Sequence, residues 1–186
     1  MELSQIINSI YPLPQQALSK LNLIAEEVTL PKGLLLINKE RPNHNLFFIK
    51  QGIVRAYTYR GDSEITFWFG TEGDTAISIK TYINQEASYE NIDLLEDCTL
   101  YKIDSRKLKM LYDEDIHIAN WGRKFVELEY LRTEQRLISM QFLSAAQRYD
   151  ELLKHNRQLV QRVPLGYIAS YLGISQVSLS RIRAGR

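Results

Sequence analysis

Eighteen residues, Leu165–Ile182, restrict this chain more than any other segment. Counted from Leu165, small residues fall at positions 5 and 9, Ala169 and Gly173. Apolar residues fall at positions 4, 8, 10, 15 and 18: Ile168, Leu172, Ile174, Leu179 and Ile182. The spacing predicts a helix-turn-helix. Ala169 is small where two helices must cross closely. Gly173 supplies the left-handed turn between them. Ser175 is placed to cap the second helix, and Pro164 suits the entry to the first. Leu179 and Ile182 then anchor the second helix inward. Gln176, Val177, Ser180 and Arg181 are left facing outward near its start, where a major-groove reader meets base edges. Arg181 offers a two-pronged donor to guanine, and Gln176 a matching pair to adenine.

Charge sharpens this reading. The formal net charge is only +1, but it is unevenly placed. From His155 onward there are five arginines (Arg157, Arg162, Arg181, Arg183, Arg186) and no Asp, Glu or Lys. The preceding 154 residues hold 18 of the 23 basic residues and all 22 acidic ones, a net −4. A basic module on an acidic body points to an anionic partner, nucleic acid first. Ser175, Arg183 and Arg186 are the candidate phosphate contacts. Arg157 and Arg162 suit either phosphate contact or plain solvation.

The rest of the chain falls into three stretches. Residues 1–27 read as helical, broken at Tyr11-Pro12-Leu13-Pro14. From Val28 to Ile103 short apolar runs alternate with turns such as Pro31-Lys32-Gly33, Gln51-Gly52 and Arg60-Gly61-Asp62, which predicts a β-sandwich or barrel. After Asp104-Ser105, a plausible cap pair, the pattern is helical again, with a short helix over 106–112 and a long one over about 114–140. Tyr112-Asp113-Glu114-Asp115 suits the start of that long helix. Ile118, Trp121, Phe125 and Leu128 recur by 3 and 4, the spacing of a coiled-coil seam. That face serves either a parallel dimer or packing on the chain's own β-domain. A further helix spans 145–156.

Several classes of function are disfavoured. The lone Cys98 leaves no internal disulfide and no thiolate-rich zinc or iron–sulfur site; it reads as a buried small hydrophobe. His44, His117 and His155 are widely separated, so no metal site is predicted. There is no Gly-x-Ser-x-Gly elbow, phosphate loop, His-Glu-x-x-His or dinucleotide-binding glycine pattern. Asp93 and Glu96 read as solvated turn residues. No catalytic residues and no cofactor are predicted. No apolar run is long enough for a membrane helix, and no signal segment is evident, so a cytoplasmic protein without membrane partner is expected.

The order of these parts resembles the Crp/Fnr (cyclic-AMP-receptor-type) regulators. The resemblance rests on Leu30-Pro31-Lys32-Gly33, Phe48-Ile49-Lys50-Gln51-Gly52-Ile53-Val54-Arg55, Glu72-Gly73-Asp74, Leu95-Glu96-Asp97-Cys98 and Ile168–Ser175. It covers nearly the whole chain and implies an α+β protein of three parts. These are a β jelly-roll domain like those that bind cyclic nucleotides (1–112), a dimerisation helix (113–140) and a helix-turn-helix domain (141–186). It also implies a homodimer on two-fold symmetric duplex DNA. Nucleotide binders in the family carry Gly-Glu and then Arg-Ser or Arg-Thr in a phosphate cassette. Here those places read Ile77-Ser78 and Ser88-Tyr89, with no Arg between Arg60 and Arg106 and Lys80 as the cassette's cation. Glu86 and Glu90 would repel a phosphate. Response to cyclic AMP is therefore not expected. The degenerate pocket of Ser78, Lys80, Ser88 and Tyr89 either takes an unidentified small effector or is filled by its own side chains, for which Tyr82, Ile83 and Tyr89 are placed, with core packing the favoured role. The sequence thus predicts a transcription regulator. The alternative is a ligand-binding or protein-interaction module of the same fold that does not read DNA.

Overall fold

The structure, a computed structural model, describes residues 1–185. Two short helices, α1 (Leu3–Ile10) and α2 (Gln15–Ile24), come first, separated by the proline-bearing break. Eight strands follow: β1 (Ala25–Leu30), β2 (Leu35–Ile37), β3 (Asn45–Gln51), β4 (Val54–Arg60), β5 (Ser63–Gly70), β6 (Thr75–Ile77), β7 (Asn91–Leu94) and β8 (Cys98–Asp104). Helix α3 (Ile79–Asn84) interrupts them. The strands form two four-stranded sheets, in the orders β1-β8-β3-β6 and β2-β7-β4-β5. Helices α4 (Ser105–Glu114), α5 (Ile116–Phe142), α6 (Ala145–His155), α7 (Arg157–Arg162), α8 (Leu165–Tyr171) and α9 (Gln176–Ala184) complete the chain.

Residues 25–27 are strand, not the end of a helix as the sequence suggested. Ala25 pairs with Ile103 and Glu26 with Lys102 in an antiparallel ladder, and Lys102 meets the Glu26 carboxylate at 3.1 Å. Tertiary pairing here overrides local pattern. Strand β6 and helices α3 and α7 are also additions to the sequence reading. Asp104 caps α4 as expected, accepting from the Arg106 amide at 2.9 Å. Asp115 opens α5, accepting from the His117 amide, while Tyr112–Glu114 belong to the end of α4. Asp93, read as a solvated turn residue, lies in β7. The almost wholly buried Arg55 grips it with two bonds of 3.0 and 2.7 Å. A buried guanidinium needs such a fork, because an unpaired buried charge is costly. Gly52 is dictated by both conformation and space. Its φ is +114°, and an added Cβ would stand 2.3 Å from the Cys98 sulfur. Cys98 is buried as expected, and burial pushes its thiol up to about 11.

The chain divides into two compact units. One comprises Met1–Arg55 with Phe69–Tyr130; the other comprises Ala56–Trp68 with the chain from Leu131 onward. In the first unit, Ile6, Ile7, Leu18, Leu21, Leu46, Phe48, Ile103, Ile118 and Trp121 share one core. Trp121 is 1% exposed. Its indole N–H donates to the Ile7 carbonyl at 3.0 Å, its ring stacks on Phe125 at 5.7 Å, and Phe48 meets it edge-on at 6.1 Å.

This corrects the seam. Ile118 and Trp121 are buried in the chain's own core, and Phe125 and Leu128 are half-buried. At Ile118, Trp121 and Phe125 the 3-and-4 spacing serves packing within the chain. Residues exposed on α5 lie on another face. Trp121→Ala is expected to lower unfolding stability by about 3–5 kcal/mol, read by urea denaturation, because it empties the site where helix, sheet and N-terminus meet.

Candidate nucleic-acid interface and effector cassette

Helices α8 and α9 form the predicted motif within the second unit. Ile168, Ala169, Leu172 and Leu179 are buried, and Ile182 is half-buried. Gly173 has φ +70°, and the Ile174 amide reaches back to the Ala169 carbonyl at 3.0 Å. That six-residue return bond is the signature of a left-handed helix stop. Ser175 then starts α9, its hydroxyl accepting from the Ser178 amide at 3.1 Å. The turn is thus built by local chemistry at both ends.

Two arginines outside the motif hold it in place. Arg148, on α6, donates to the Leu172 carbonyl at 2.8 and 3.1 Å and to the Leu143 carbonyl at 2.6 Å. Arg136, on α5, donates to the Tyr171 carbonyl and lies 3.8 Å above the Tyr171 ring. The bonds to Tyr171 and Leu172 satisfy carbonyls that the end of α8 leaves without a helical partner. Sequence reasoning did not find them, since nothing local marks Arg136 or Arg148. Ser170 is a third such residue. It accepts from the Thr66 amide at 2.9 Å and donates to the Glu64 carbonyl at 3.1 Å.

Gln176, Val177, Ser180 and Arg181 are all exposed on α9, Val177 at 61%. Arg183 is exposed beside them, while the other predicted phosphate contact, Arg186, lies outside the described residues. Ser175 is also exposed, but its hydroxyl already serves the cap. The side-chain oxygen of Gln176 lies against Gly166 on α8, 3.4 Å from where a Cβ would stand. Exposed Arg157 opens α7, and Arg162 ends it.

Around α3 the side chains of Ser78, Lys80 and Thr81 are bonded within the cassette, and polar atoms of Ser88 and Glu90 are sealed. Ser78 is fully buried and spent as a cap, accepting from the Thr81 amide and donating to the Thr81 hydroxyl at 3.1 Å. Thr81 in turn donates to the Glu86 carbonyl at 2.7 Å. Lys80 is partly exposed and pairs with Glu86 at 3.3 Å. The Ser88 hydroxyl is sealed without a hydrogen-bond partner. Glu90 is 4% exposed, and one of its carboxylate oxygens is sealed in the same way. Tyr82 is half-buried, with the Lys109 ammonium 4.4 Å above its ring. Ile83 and Tyr89 are exposed, so neither fills a pocket nor packs in the core as predicted. The cassette's lysine is thus paired with Glu86, and a buried carboxylate, Glu90, stands nearby in sequence.

Residues 27–115 match the family described as cyclic nucleotide-binding domain. The structure is similar to FixK2 from Bradyrhizobium japonicum, with TM-score 0.74 and 17% identity over 87% of this chain and 84% of that one. It is also similar to a protein from Eubacterium rectale described as a Crp/Fnr-family transcriptional regulator, with TM-score 0.71 and 16% identity over 94% and 85%. The chain shares the fold of these two proteins. A third similar structure is CLP of Xanthomonas campestris, a c-di-GMP-responsive global regulator, with TM-score 0.67 and 14% identity over 92% and 91%. No curated protein sequence matches the chain. This shared fold frames both sites: an N-terminal sheet region that matches the cyclic nucleotide-binding family over residues 27–115, and a C-terminal helical region. No helix among the described residues is long and apolar enough to cross a membrane. Nor do any three or more His, Cys, Asp or Glu gather as metal ligands among them.

Proposed function

We propose that this chain is a sequence-specific DNA reader of the Crp/Fnr type that acts as a homodimer and does not respond to cyclic AMP. The observation that carries the reading is α9. It starts on a serine cap and presents Gln176, Val177, Ser180 and Arg181 outward from a segment with no acidic residue. Base-edge donors at the start of a helix and cations around it are what a major-groove reader needs. Arg183 adds sequence-blind affinity through phosphate. In this reading the functional parts are 1–112, the helix at 113–140 and the reader from 141.

The dimer face is the second strand of support. Val126, Tyr130, Thr133, Leu137 and Met140 recur by 4, 3, 4 and 3 along α5. Tyr130 is 71% exposed and Leu137 57%, with Val126 exposed as well. A heptad stripe of large apolar side chains facing water is best covered by a second copy of itself. A two-fold pair of α5 helices would carry two α9 helices, matching a two-fold DNA site. The cassette supports insensitivity to cyclic AMP, since its lysine is already paired and its serine is a cap. An effector of other chemistry, if one acts, would shift the balance between reader orientations rather than build the reader.

Three outcomes follow. Arg181→Ala is expected to remove preference for the target duplex over bulk DNA, a loss of about 1–3 kcal/mol of discrimination, with an unchanged circular dichroism spectrum. Leu137→Glu is expected to shift the protein from dimer to monomer in sedimentation velocity without unfolding it. Calorimetric titration with cyclic AMP is expected to give no binding heat, and tight binding would contradict the cassette argument.

A further inference from the structure

Strand β5 ends the order β2-β7-β4-β5, so one of its edges has no neighbouring strand in that sheet. Such an edge presents backbone N–H and C=O groups that must find partners if they are buried. Thr66, in the middle of β5, is only 2% exposed. Its amide is bonded by the Ser170 hydroxyl at 2.9 Å, and the same hydroxyl donates to the Glu64 carbonyl at 3.1 Å. Residues i and i+2 of a strand point their polar groups to the same edge. The carbonyl of Glu64 and the amide of Thr66 are therefore the pair that one residue of a neighbouring strand would engage. A serine hydroxyl can accept and donate at once, so it replaces that strand residue with a single oxygen.

Ser170 lies on α8, the first helix of the DNA reader, and the tip it binds, Ala56–Trp68, forms a compact unit with the reader. A serine in a helix usually bonds its own helix or solvent; Ser170, in the last turn of α8, reaches out to a strand. We propose that Ser170 is a positioning residue for DNA reading. Its hydroxyl locks helix α8 onto the β4–β5 hairpin in one register, and through α8 it fixes the presentation of α9. Both hairpin strands run on along the chain into the first unit. The role rests on the DNA-reading function proposed above, whereas the contact does not depend on it.

The test compares the full-length protein with Ser170→Ala and Ser170→Thr. Alanine is well tolerated in a helix, and threonine keeps the hydroxyl. Native-state hydrogen exchange by NMR reads the Thr66 amide, and fluorescence anisotropy reads affinity for a duplex selected by the wild-type protein. In Ser170→Ala the Thr66 amide is expected to exchange at least about tenfold faster, with β8 and α6 amides unchanged. Duplex affinity is expected to fall by about tenfold, as fewer molecules hold the competent orientation. Ser170→Thr is expected to restore both. Unchanged exchange at Thr66 would overturn the contact. Faster exchange with wild-type affinity, or with tighter binding, would overturn the positioning role. A wild-type protein that selects no duplex would sink the DNA reading and the positioning role together, while the exchange data would still report whether the lock exists.

Discussion

The hydrogen bond from the Trp121 indole to the Ile7 carbonyl, with the packing around it, is the constraint on which the first unit depends. It ties the start of α5 to the N-terminal helix and, through Phe48, to strand β3. A ring of this size buried at a three-way junction contributes several kcal/mol and leaves little rotational freedom to the helix. Once one face of α5 is committed inward, the opposite stripe must look outward. The exposure of Val126, Tyr130 and Leu137 is thus a consequence of where Trp121 goes. The helix thus has two faces, one buried in its own core and one exposed, and the exposed one is the face proposed for a second copy.

Polar burial tells the same story in the sheet domain. Arg55 and Asp93 neutralise one another inside, and Ser78 and Thr81 spend their hydroxyls on the turn around α3. These polar groups serve internal order. The sheet domain matches the cyclic nucleotide-binding family over residues 27–115, with these buried groups bonded to one another inside it.

Much of this was legible in the sequence where the chemistry is local. Gly173, Ser175 and Ala169 are each demanded by a conformation or a close approach within a few residues, so spacing alone located the turn. Asp104, bonded to an amide two residues on, is of the same kind, and so is the positive φ of Gly52, although the Cys98 sulfur that crowds it comes from a distant strand. Failures came where the decision is tertiary. The run Ile118, Trp121, Phe125, Leu128 has the same period whether it packs on its own domain or on a copy, and only the fold decides. Glu26 and Glu27 sit in a strand because β8 pairs with them. Asp93 looked like a turn residue because its partner, Arg55, is 38 residues away. Ser170, Arg136 and Arg148 carry no local signal at all, since their partners are backbone groups brought near by folding.

The central claim is that this fold reads a symmetric DNA sequence as it stands, without a nucleotide. Selection of random duplex DNA on the purified protein, at about 0.15 M salt and with no added ligand, tests it directly. The account predicts an enriched two-fold symmetric motif whose half-sites lie about one helical turn, roughly 34 Å, apart. Absence of any enriched motif, or enrichment only after cyclic AMP is added, would contradict it.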